Sequence, residues 1–425
     1  MARLALDGGP RAIPEPLPGS PGGGPGVSLI GREEIDAVTD VLQTGQLFRF
    51  NPNSRVRAFE RMAADWIGVR HAHMVNSGTS ALICALEALG IGPGDEVIIP
   101  GYTYIATAAA VVAAGAVPVI AEIDDSLGLD PDDVHRKVTP HTRAVVPVHM
   151  QGVPARLDAI LEVARRHSLL VIEDCCQCIG GRYRGRVVGT LGDAGAWSLN
   201  YFKIITCGEG GLVFTDDERV YERACFAADP ALPMWMRDTI PTDGWLSPPF
   251  SAQCYRPSEM LGAIACAQLG RLDHILAHMR GLKGAFLRAL EEPKCYCRQL
   301  VDDPAGDCGI SAAIIVRDVL LARRFAEALT AEGLPCGTAH NDGFPDRHIY
   351  RYWDSILTRN AHHAFASPWR HPAYKGAVEY APDMCPRTLD ILGRALRFGF
   401  VMGMEERHAE LMASAINKVD AALAQ

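Results

Sequence analysis

Residues 143–174, RAVVPVHMQGVPARLDAILEVARRHSLLVIED, decide the fold. Two apolar runs, RAVVPVHM and LLVIED, bracket the amphipathic segment LDAILEVARRH at 157–167. A strand, a helix and a strand in that order make a crossover unit, whose two strands lie parallel. Runs this apolar suit strands buried on both faces. The texture repeats outward in DEVIIPG (95–101), VPVIAEID (117–124) and GLVFTDD (211–217). SALICALEALG (80–90) places Leu82, Ala85, Leu86 and Leu89 on one helical face and ends at Gly90. The expectation is an α/β domain with a mostly parallel sheet.

A chain of 425 residues can hold two domains and a large core. Residues 1–30 include a Gly/Pro-rich arm too poor in apolar groups to pack a core alone. A large domain is expected over 31–275. The long helical stretch near 261–292 leads into a smaller α+β domain, 276–425, with one or two strands at 309–316, helices at 318–332 and 404–423, and an irregular polar-aromatic segment at 338–385. A net charge of −9 argues against nucleic acid and anionic membranes as partners. The longest apolar run, 105–121, is broken by Gly115 and Pro118 and reads as a buried helix and a strand, with no membrane span. The first residues lack the apolar core of a secretory signal. Thirteen cysteines without scaffold spacing suit the cytoplasm. Cys175, Cys176 and Cys178 do not have zinc spacing, and no metal is expected.

Three stretches carry chemistry. In VNSGTSAL (75–82) a strand-like lead runs through Ser-Gly-Thr-Ser into a helix, which offers backbone N–H groups and hydroxyls to a phosphate. A plain N-cap by Thr79 or Ser80 explains the same residues without a ligand. LLVIEDCCQC (169–178) delivers Glu173 and Asp174 at a strand's carboxyl end, where ligands bind in open α/β sheets. A helix cap or an ion pair is the alternative. In SLNYFKIITCGEGG (198–211), Lys203 sits among aromatic and branched apolar residues, in a chain with 6 lysines against 35 arginines. Desolvation disfavours an ammonium, and a neutral amine can attack a carbonyl. A snorkelling stem with an exposed head is the bland reading. Together a phosphate-binding helix start, a strand-end acid and a lysine are what pyridoxal 5′-phosphate requires. Asp174 would keep its pyridine nitrogen protonated and Lys203 would hold its aldehyde as a Schiff base. Tyr104, in PGYTYIATA, could lie against the ring, or be a core aromatic.

In NSGTSAL, IGPGDEVIIPGYTYIATA, VPVHMQGVPARLDAI, the run from VIEDCCQC to GEGGLVFTDD, and YRPSEMLGAIACAQLGRLD, the chain resembles the DegT/StrS-type aminotransferases of keto-sugars and keto-cyclitols. The resemblance implies the aspartate-aminotransferase-like fold, type I of the PLP-dependent transferases, with a mostly parallel seven-stranded sheet. It implies a homodimer with active sites shared between subunits, and a glutamine or glutamate donor in a ping-pong reaction. Lys203 matches the Schiff-base lysine, Asp174 the pyridine partner and Gln177 the neighbour of the 3-hydroxyl. Gly78, Thr79 and Ser198 match phosphate ligands, and Tyr104 the stacking aromatic. Cys254 stands where an asparagine of the partner usually reaches the phosphate, with Arg256 as a substitute. DRHIYRYWDSI and DMCPRTLDILGRAL resemble the inosose aminotransferases of aminocyclitol antibiotic pathways. His340, Asn341, His348 and Tyr350 are candidate contacts to a polyol acceptor, or members of a solvated loop. The rival readings are a PLP-dependent lyase acting on an amino acid and a non-catalytic PLP-binding regulator.

Overall fold

The computed structural model describes residues 3–230, 245–341 and 343–424. Strands β1 (His71–Val75), β2 (Glu96–Pro100), β3 (Val117–Ala121), β4 (Thr142–Val145) and β5 (Leu170–Asp174) are followed by a short hairpin, β6 (Arg182–Tyr183) and β7 (Arg186–Val187). Then come β8 (Ala194–Ser198) and β9 (Gly211–Thr215). Seven of them form one sheet in the order β1-β9-β8-β5-β4-β2-β3. Only β9 runs against its neighbours, pairing antiparallel with both β1 and β8. The reversal follows from the connection: β8 and β9 are joined by the loop 199–210 instead of a helical crossover. That loop carries Lys203.

Every residue of β2, β3, β8 and β9 is buried, as expected of strands covered on two faces. Alternation sends Val97 and Ile99 to one side, against the helices Gly78–Ala88 and Ala106–Ala113. Ile98, Val145 and Val171 go to the other, against the helix Leu157–His167. The helix Gly78–Ala88 is buried almost all round, which fits its lack of a polar face.

A second sheet, β10 (Tyr296–Arg298), β11 (Ser311–Val316) and β12 (Ala395–Gly399), is antiparallel and carries the helices Val319–Ala331 and Glu406–Leu423. The helix Leu272–Ala289 runs unbroken through residue 275, where the sequence suggests a domain boundary. Residues 347–385 do not stay with the second sheet either. The Tyr350 amide donates to the Gly101 carbonyl at 3.0 Å, and Ile349 bridges to Tyr102. Farther on, Tyr374 donates to Glu96 Oε1 at 2.8 Å and Tyr380 to the carbonyl of Pro118, in the edge strand β3, at 2.6 Å.

The N-terminal arm crosses two surfaces. The buried carboxylate of Glu332 accepts the amides of Ala5 and Ala12, both at 2.8 Å, and the amine of Lys418 at 2.7 Å. Further along, the Gly24 amide donates to Tyr201 O at 3.0 Å. A Cβ at Gly24 would stand 2.3 Å from the Lys203 carbonyl, so the arm touches the lysine loop by having no side chain there.

Candidate active site

The carboxyl ends of β5 and β8 and the start of the helix Gly78–Ala88 meet around a cavity of ≈ 550 Å³. All seven residues expected to hold the cofactor line it: Gly78, Thr79, Tyr104, Asp174, Gln177, Ser198 and Lys203. At the helix start the Ser77 hydroxyl accepts the Ser80 amide at 3.0 Å and so caps the helix itself. The amides of Gly78 and Thr79, first in the helix, have no acceptor within it and border the cavity. A Cβ on Gly78 would sit 2.5 Å from the Ser198 Cβ, so glycine alone lets the helix start lie against the end of β8. These amides and the buried Ser198 hydroxyl form a neutral cradle suited to an anion.

Asp174 is 3% exposed. Its Oδ2 accepts the Thr107 hydroxyl at 2.8 Å and its Oδ1 the Cys176 amide at 3.0 Å. Because Thr107 spends its one proton on the carboxylate, Thr103, 2.8 Å away, donates to Thr107 in turn. This relay fixes the carboxylate's rotation while lone pairs remain free toward the cavity. Neither threonine is signalled by the sequence, since nothing in its spacing links 103 and 107 to 174.

The neighbouring acid does different work. Glu173 is fully buried, accepting Leu191 N at 2.7 Å and Gly192 N at 2.6 Å on Oε1, and Gly189 N at 2.7 Å and His149 Nε2 at 3.1 Å on Oε2. Burial pushes its carboxyl up, but His149 and these backbone donors outweigh burial and hold it below the ordinary value. His149 Nδ1 accepts the Ala155 amide at 3.0 Å, which places the ring proton on Nε2. Glu173 therefore ties down the loop leading into β8. His149, Glu173 and Cys175 lie close enough together to resemble a metal-binding group. The carboxylate's four donors and the acceptor role of His149 Nδ1 use those atoms up.

The Lys203 side chain is half-buried and, among the described residues, its amine has no hydrogen-bond or ion-pair partner. Its apolar company is not a desolvating shell within this chain. Ile204 and Ile205 point into the core, whereas Tyr201 is exposed and Phe202 is 67% exposed. Gln177 Oε1 accepts the Gln151 amide at 3.4 Å. Tyr104 is 48% exposed and meets the His348 ring at 5.3 Å between centroids.

Of the four residues proposed for the acceptor, only His348 lines the cavity. Its Nδ1 lies 2.7 Å from Asp346 Oδ1, which also accepts the His348 amide at 2.9 Å. Burial raises the Asp346 carboxyl, and the bonds from His348 outweigh it to hold the group low and ionised. Nδ1 is then the protonated nitrogen. Tyr350 is a correction: its ring is wholly buried beside Gly101 and its hydroxyl accepts the Cys385 amide at 2.8 Å, so it is core. His340 and Asn341 lie outside the cavity, the latter donating to the Thr338 carbonyl at 2.9 Å. Cys254 is exposed, and Arg256 is held within its own chain, over the Phe48 ring at 5.4 Å and 3.4 Å from Asp229. Glu209 is a cavity residue the sequence reading missed. Its carboxylate takes the Asn200 side-chain amide at 2.9 Å, beside the lysine.

The residues fit pyridoxal 5′-phosphate: an anion cradle, a fixed carboxylate and an unpaired amine face one space large enough for a pyridine ring. A family profile described as DegT/DnrJ/EryC1/StrS aminotransferase matches residues 28–351. A putative L-glutamine:3-amino-2,3-dideoxy-scyllo-inosose aminotransferase from Streptoalloteichus tenebrarius is 43% identical over 225 residues, 52% of each chain. An L-glutamine:2-deoxy-scyllo-inosose aminotransferase from Streptomyces kanamyceticus is 38% identical over 292 residues, 66% of this chain and 65% of that one. The match thus spans about half to two thirds of these relatives' length. A solved 3-amino-5-hydroxybenzoic acid synthase superposes with a TM-score of 0.75 at 26% identity, covering 96% of this chain and 99% of the other.

Proposed function

The chain belongs to the DegT/DnrJ/EryC1/StrS aminotransferase family, and we propose that it moves an amino group from L-glutamine or L-glutamate to a ketone on a cyclitol or sugar ring, in antibiotic or related secondary metabolism. The fold is that of the type I PLP-dependent transferases, with pyridoxal 5′-phosphate as cofactor. One observation carries the reading: Lys203, Asp174 and the helix start at Gly78 and Thr79 line a single cavity. The inosose acceptors named for the two bacterial relatives support a cyclitol ketone as one acceptor class.

When bound, the pyridoxal ring draws electrons from the substrate carbon that exchanges its proton. Gly78, Thr79 and Ser198 would hold its phosphate end. Asp174, with its rotation fixed by Thr107 and Cys176, would be the partner of the ring nitrogen. Lys203 Nζ, whose amine opens onto the same cavity, would be the group to hold the cofactor and to move a proton at the substrate carbon. His348, oriented by Asp346, presents Nε2 to an acceptor hydroxyl. The cavity mouth has exposed aromatics at Phe202 and Tyr104, and the helix Arg32–Thr44 shows Ile35 and Leu42, each 58% exposed. These exposed apolar side chains support a homodimer in which a second copy completes the site. Thirteen free thiols support a reducing cytoplasm.

The test is to titrate the purified protein with glutamine or glutamate and follow the cofactor's absorbance. The band of the lysine-bound cofactor should bleach with stoichiometric release of a 2-oxo acid, and a keto-cyclitol should restore it. Bleaching without a 2-oxo acid would sink the proposal in favour of lyase chemistry. No response to either donor would favour a regulator.

A further inference from the structure

A second cavity, ≈ 410 Å³, opens between the helix Leu272–Ala289 and β11, and none of its lining residues lines the cofactor cavity. Its apolar lining includes Leu287, Val301 and Ala313. Three cations and one carboxylate also border it: Arg280, Lys283, Arg298 and Asp307. Lys283 and Asp307 are both buried and paired with each other, and Asp307 Oδ1 also accepts the Gly309 amide at 2.6 Å. The guanidinium groups are held differently. Arg280 donates to the backbone carbonyls of Asp307 at 2.7 Å and Gly180 at 3.4 Å, and Arg298 to those of Leu290 at 3.0 Å and Glu291 at 3.3 Å. Neutral carbonyls position these groups, and among the described residues no carboxylate pairs with either guanidinium. The pocket is thus apolar in its body and carries two guanidinium groups without a carboxylate partner.

Gly284 adds an independent observation. It lies inside the helix on the cavity side, where glycine is a poorer helix former than alanine. A Cβ there would meet only the flexible end of Arg288, at 3.1 Å, and the backbone is not left-handed. Neither conformation nor packing demands the glycine, whose effect is to leave the cavity open.

We propose that this cavity binds a small organic carboxylate with an apolar body, the acid group toward Arg298 and Arg280 and the body toward Leu287, Val301 and Ala313. Guanidinium groups favour carboxylates through paired N–H donors, and the volume is that of a small-molecule site. Cofactor-loaded protein is titrated calorimetrically with 3-phenylpropionate and with the neutral 3-phenylpropionamide, while the cofactor's absorbance is followed. The expected result is saturable binding of one acid per chain, weakened roughly tenfold in Arg298→Gln and abolished in Gly284→Leu, with the cofactor band unmoved. Arg298 is exposed and leucine is a better helix former than glycine, so both variants should melt with the parent. No saturable binding up to ~10 mM, equal affinity for the amide, or undiminished binding in both variants would overturn the site. So would a shift of the cofactor band that tracks the binding, because the acid would then occupy the other cavity.

Discussion

Replacing Glu173 by glutamine keeps the shape of a fully buried side chain and changes what its far end can accept. The carboxylate receives two donors on each oxygen: the Leu191 and Gly192 amides on Oε1, the Gly189 amide and His149 Nε2 on Oε2. Whichever way a glutamine amide is turned, its NH₂ faces two N–H groups that have lost their acceptor. A stranded buried donor costs about 1–3 kcal/mol, so the substitution should destabilise by about 2–6 kcal/mol. Against a typical total of about 5–15 kcal/mol that is a large fraction. With a shift of about 2–4 °C per kcal/mol for medium-sized chains, and less for long ones, melting should fall by several degrees in a thermal scan at pH 7. The folded carboxyl is held below its ordinary value of 4.5, so its stabilising share is present above that pH and disappears as the pH falls through the lowered folded value. The gap between parent and variant should therefore be constant from neutrality down to about pH 5 and close below it. A variant melting within about 1 °C of the parent at pH 7 would refute the assignment of four donors to this carboxylate.

Lys203→Ala should still bind pyridoxal 5′-phosphate but lose the attachment that borohydride traps; trapping that survives would implicate another lysine. Thr107→Val, which removes the proton fixing Asp174, should weaken cofactor retention in equilibrium dialysis by about tenfold, the worth of one hydrogen bond to a charged group, and should lower melting by a few degrees because the buried Thr103 hydroxyl loses its acceptor. Unchanged retention would show that Asp174 needs no such partner. Asp346→Asn should leave the donor-driven bleaching intact and slow its recovery with a ketone acceptor, since only acceptor binding uses His348; equal slowing of both halves would refute that division.

The sheet and the lysine were legible because their signals are local. Doubly buried strands are uninterrupted apolar runs, and Lys203 is an exception in an arginine-rich chain. β8 gave no such signal. AGAWS is too rich in small residues for a strand propensity, and the reason is tertiary: a Cβ on Gly195 would stand 2.5 Å from the Phe214 ring across the pairing. Pairings over long separations, such as Thr107 with Asp174, leave no trace in spacing. Tyr350 was misread because a tyrosine in a polar segment suggests a solvent-facing hydroxyl, whereas its ring fills space opened by Gly101.

The family-profile match stops at residue 351, yet Tyr374 and Tyr380 lie beyond it and hold the rim of the large sheet. A recombinant fragment cut at that point would uncover the short apolar edge strand β3 and leave the Pro118 carbonyl without its tyrosine donor, the kind of edge that recruits strands from other molecules. Expression trials guided by homology alone would then yield inclusion bodies whose cause lies about thirty residues downstream of the cut.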